Sequence, residues 1–167
     1  MIETVFKELK LRVSKWLISL NLDRDFTQWK HCQGSGTSLF TLCFSLFILN
    51  TLGLVDSINN SNKTKVSSFI KSHQSERTGL FNLNSSKNDE YSKVNQQLTS
   101  FCLTALEVLN ESPNHPINLL DNWNTSTKLN RYLDMKGCGK GVPGSGNFAM
   151  FAAIFLTHEN EINKDGK

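Results

Sequence analysis

The run Thr37–Val55 constrains this chain most: nineteen consecutive residues without an Asp, Glu, Lys or Arg. A segment with no charged face is either a membrane span or a helix buried in a core. Thr41, Ser45, Asn50, Thr51 and Gly53 are spread through it, and Lys30 is the only basic residue close to it. Those features favour a core helix over a span. A buried helix needs amphipathic neighbours, and the sequence supplies them. Ile2, Val5, Phe6, Leu9, Val13, Trp16, Leu17 and Leu20 recur at helical spacing, with Lys7, Glu8, Lys10, Arg12 and Lys15 between them. This stripe predicts a helix over 2–20 docked on a core, with a helix lying on a membrane surface as the second reading.

Further helical stripes fall at 63–73, 92–109 and 125–135, and the last helix at 147–162 carries Phe148, Met150, Phe151, Ile154 and Phe155. Ser112-Pro113 ends the helix over 92–109, and Pro116 can open a short one as a first-turn proline. Residues 21–36 and 74–92 read as loops. No run of alternating apolar residues predicts a strand. The expected fold is all-α, about seven helices in antiparallel hairpins. They form one helical domain over 1–162, and the polar tail 163–167 frays.

Composition removes several function classes. With 20% charged residues and a net charge of +3, the chain is not a highly charged disordered segment. It also lacks the concentrated basic patch of a nucleic-acid partner. Cys32, Cys43, Cys102 and Cys138 form no CxxC pair, and Cys43 and Cys102 sit in apolar runs, where a free thiol is a common small core residue. The start of the chain has no basic region followed by an apolar stretch. The expectation is a cytoplasmic protein, with a membrane partner disfavoured.

Residues that could carry chemistry are few. Gly34-Ser35-Gly36 and Gly144-Ser145-Gly146 each lead into a nearly uncharged helix that reads as buried on all sides. Gly139-Lys140-Gly141-Val142-Pro143-Gly144 matches G-x-G-x-x-G, but a helix precedes it, so a dinucleotide fold is not implied. A flexible loop before a helix N-terminus still favours an anion, and Lys136 and Lys140 add charge. Were both glycine loops at one end of the helices, Trp29, Lys30, His31, Gly34, Gly36, Lys140, Gly144 and Gly146 would line one mouth. That is the expected ligand site, for an unknown small molecule. His31-Cys32, His115, Cys138 and His158 lack metal-ligand spacing, so neither a metal nor a cofactor is expected. Ser35 and Ser145 have no identified base, and His158 and Glu159 do not share a helix face. Catalytic residues are therefore unassigned.

The segment 68–81 carries a family likeness. Gln74, Gly79 and Phe81 close a helix in the order Gln, Gly-x-aromatic. This resembles the repeat of the α/α-toroid superfamily of squalene and terpene cyclases and protein prenyltransferases, with Phe for the usual Trp. In that repeat Gln satisfies backbone groups at a helix end, Gly makes the turn and the aromatic ring staples the loop. The resemblance covers one repeat of fourteen residues. It implies alternating inner and outer helices forming part of a toroid-like array, a truncated one at seven helices. It also implies an extended isoprenoid or polysaccharide ligand. The nearest counterpart of the cyclases' acidic run is Asp23-Arg24-Asp25, which lacks the final acid. Arg24 there should lower both carboxylate pKa values rather than create a general acid. A non-catalytic helical-repeat binding or scaffold module is the alternative, and a membrane protein anchored by 37–55 the third reading.

Overall fold

The computed structural model describes residues 2–83 and 91–165. Among them every regular element is helical: α1 (Ile2–Ser19), α2 (Leu39–Thr51), α3 (Asn60–Lys71), α4 (Lys93–Val108), α5 (Ser126–Met135) and α6 (Gly146–Asp165), with 3-10 turns at Val55–Ser57 and Asn118–Trp123. Only isolated β-bridges occur, such as Gln74 with Phe81. The protein is all-α, as the periodicity predicts.

The helix ends follow from local chemistry. Ser38 caps α2, its side chain accepting from the Thr41 N–H while Thr41 reaches back to the Ser38 N–H, a reciprocal pair that satisfies two orphan donors. Asn59 caps α3 by accepting from the Asn62 N–H, which starts the helix at Asn60 rather than 63. Thr125 caps α5 in the same way. After α4, Asn110 takes a left-handed conformation at φ 58° and the Glu111 N–H returns to the Leu106 carbonyl at 2.9 Å. The segment after Pro116 forms a 3-10 turn, not an α-helix. Backbone of the tail expected to fray is helical to Asp165; residues 166 and 167 lie outside the described residues, as do 84–90 of the long loop. No described helix is long and apolar enough to cross a membrane.

The chain divides into two compact units. One comprises Met1–Ser72 with Thr104–Glu111, the other His73–Leu103 with Ser112–Lys167. In the first, Leu17, Leu20, Trp29, Leu42, Leu46, Val66 and Ile70 are buried. In the second, Leu80, Phe81, Leu98, Phe151 and Phe155 are buried. Two expectations about cover change here. Among the described side chains of the α1 stripe Leu17 and Leu20 are buried, while Val5, Phe6 and Leu9 are 63%, 61% and 56% exposed. Neither α2 nor α6 is buried all round, since Phe44 and Met150 are exposed.

The 68–81 segment behaves as its side chains dictate. The buried Gln74 amide donates to the carbonyls of Gly79 and His115, each at 2.8 Å. Its oxygen accepts from the N–H groups of Asn114 and His115 at 2.8 and 3.1 Å. Gly79 sits at φ 71°, and a Cβ there would lie 1.8 Å from the Pro116 carbonyl oxygen, so no other residue fits. Phe81 is fully buried, and its N–H donates to the Thr99 hydroxyl at 2.8 Å.

Candidate functional site

The first unit contains an apolar cavity of about 510 Å³, formed by the C-terminal half of α1, the start of the following loop and one face of α2. Its walls include Val13, Trp16, Leu17, Leu20, Phe44, Phe47, Ile48 and Leu52. Lys30 and His31 bring the only ionisable side chains among its lining residues. The volume lies within the range of small-molecule sites.

The loop between α1 and α2 builds the wall from below. Asp23 organises it: one carboxylate accepts from the Thr27 N–H and hydroxyl and from the Gln28 N–H at 2.6–3.1 Å. Burial pushes its pKa up, but these bonds and one from the Asn21 amide outweigh that, and the pKa falls below 3.8. The depression expected from Arg24 thus has a different source. Asp25 pairs with Lys65 at 2.6 Å. Phe26 takes φ 64°, which lets its carbonyl accept from the Trp29 indole N–H at 2.7 Å. The Trp29 ring is buried, and its own carbonyl accepts from the Thr41 hydroxyl at 2.6 Å. The Thr51 hydroxyl likewise bonds the Phe47 carbonyl at 2.8 Å. Two hydroxyls of the lining are thereby spent on backbone, and the wall offers a ligand mostly carbon.

The expected site residues fall in both units. In the first unit, His31 joins Lys30 in the cavity lining, and Trp29 is core rather than lining. Gly34, at φ 85°, and Gly36 are exposed turn residues. Ser35 between them accepts from the N–H groups of His31 and Cys32, a structural role rather than a nucleophile's. In the second unit, Lys140 donates to the Asp134 carbonyl at 3.2 Å. The Gly144 carbonyl accepts from Lys93 at 3.2 Å, and Gly146 opens α6. There Lys93 and Lys136 lie 5.5 and 5.0 Å from the Phe148 ring centre. Tyr132 donates to Gln96 at 2.6 Å; burial, more than the nearby Cys138, pushes its pKa up to about 12 against the pull of that bond. Among the described residues no three His, Cys, Asp or Glu side chains gather around one point.

Sequence reasoning missed Phe44, Phe47 and Ile48. Their signal was the charge-free run itself: a helix apolar all round needs cover on every side, and α1 reaches only part of it. Comparison with family models, characterised proteins and solved structures finds no match for this chain.

Proposed function

We propose that the protein is a binding module for an extended apolar ligand with an anionic head, of the isoprenoid class. The observation that carries this is the cavity between α1 and α2, its wall mostly carbon, with Lys30 and His31 as the cations available among its lining residues. A chain of methyl and methylene groups entering it leaves water at roughly 25 cal/mol per Å² of apolar surface covered. A polysaccharide would bring many hydroxyls to a wall with three, Thr41, Ser45 and Thr51, two of them bonded to backbone, at about 1–3 kcal/mol for each group left unpaired. The likeness of 68–81 to the toroid superfamily supports the same ligand class.

Calorimetric titration with farnesyl diphosphate, farnesol and maltohexaose tests this reading. Farnesyl diphosphate should bind, farnesol more weakly and maltohexaose not at all. Ile48→Trp, which fills the cavity, should abolish binding. Lys30→Ala should weaken the diphosphate about tenfold and leave farnesol unchanged, as expected for one charge-assisted bond. Binding of maltohexaose alone, or of farnesyl diphosphate equally by Ile48→Trp, contradicts it.

A further inference from the structure

The first three turns of α1 present an apolar stripe that none of the described residues covers. Val5, Phe6 and Leu9 are each more than half exposed, and Trp16, continuing the same stripe, is 49% exposed. The helix carries four cations against two anions. Both anions are engaged within it, Glu3 with Lys7 at 2.8 Å and Glu8 with Arg12 at 2.7 Å. Lys10 and Lys15 carry charge that no carboxylate of the helix answers. On a helical projection Arg12 and Lys10 border the stripe, one on each side. Long basic side chains at that position can lay their stems on apolar surface and lift their charge into a headgroup layer.

We propose that α1 is a membrane-surface helix, seated on an anionic lipid interface with Val5, Phe6 and Leu9 at the acyl boundary and Trp16 at headgroup level. Charge complementarity selects this occupant. A second copy seated on the same stripe would bring the bordering cations of one helix toward those of the other. An anionic leaflet answers the excess of two cations that Lys10 and Lys15 leave on the helix, and apolar area and basic charge add in such binding. The inference goes beyond the ligand reading and does not rest on it.

The test uses the full chain with vesicles of phosphatidylcholine and of phosphatidylcholine with phosphatidylserine, read by co-sedimentation and tryptophan emission. Trp29 and Trp123 are buried, so the emission change comes from Trp16, which also forms part of the cavity wall, and the Phe6 and Leu9 changes assign it to the stripe. The protein should sediment with the anionic vesicles and shift its emission to the blue. Phe6→Ser with Leu9→Ser should weaken this roughly a hundredfold, from the apolar area removed. Those side chains are exposed, so the thermal midpoint should hold. Lys10→Glu with Lys15→Glu should remove the preference for anionic vesicles. Three results overturn the proposal: no sedimentation with anionic vesicles, sedimentation unaffected by the Phe6 and Leu9 changes, or a dimer in sedimentation velocity that those changes dissolve. Because Ile48→Trp alters the cavity and Phe6→Ser the outer stripe, failure of one reading is distinguishable from failure of the other.

Discussion

In α4, Leu98, Cys102, Leu103, Ala105 and Leu106 are at most 1% exposed; in α1, Val5, Phe6 and Leu9 repeat at the same three- and four-residue spacing and stand in water. Both helices are amphipathic, and both stripes are wide enough to face a core. The difference lies outside the helices. Periodicity identifies the face a helix would bury and says nothing about whether the chain supplies a cover. The uncovered stripe is the ground for proposing a membrane surface as its cover, because large exposed apolar patches are uncommon on proteins that work alone.

The comparison is easiest to break with paired truncations. Leu98→Ala should lower unfolding free energy by about 3 kcal/mol, the cost of a cavity in a packed core. Leu9→Ala should change it by less than about 0.5 kcal/mol, as at an ordinary surface site. Equal losses in urea denaturation would mean that α1 is covered. Gln74→Ala sharpens the covered side from the polar direction. It strands two carbonyls and two N–H groups that the amide now satisfies, and should cost about 2 kcal/mol by the same measurement. The smallest effect concerns the loop beneath the cavity. Asp23 has a pKa lowered in the fold by its bonds to Thr27, Gln28 and Asn21 despite burial. Its stabilisation is therefore present above the ordinary carboxylate value of 3.8 and lost as pH falls through the folded value. Asp23→Asn should lower the thermal midpoint at neutral pH and narrow its gap to the parent protein below about pH 4.

Much of the fold is legible in the residues. The stripes of α1, α4 and α5 place three helices to within about one residue at each end, whereas α2 stops at Thr51, four residues before the charge-free run does. Gln74, Gly79 and Phe81 are legible in detail, because a buried Gln, a left-handed Gly and an aromatic anchor each have few local solutions. Three things were not legible. The early start of α3 depends on an Asn59 cap in a stretch crowded with Asn and Ser. The turn at Asn118–Trp123 depends on the Asn118 N–H pairing with the Thr78 carbonyl at 3.0 Å, a contact distant in sequence. The cavity depends on which side of α2 remains uncovered, and an all-apolar helix carries no sign of that. Of the expected site, Lys30 and His31 reach the lining because the loop's hydrogen bonds turn them there.

The most direct measurement is thiol labelling of native Leu9→Cys with a maleimide, read peptide by peptide. Exposed Cys32 and buried Cys102 provide the fast and slow standards within the same molecule. With the stripe open, the new thiol should label as fast as Cys32. Protection comparable to that of Cys102 would show that the stripe is already covered, and would contradict it.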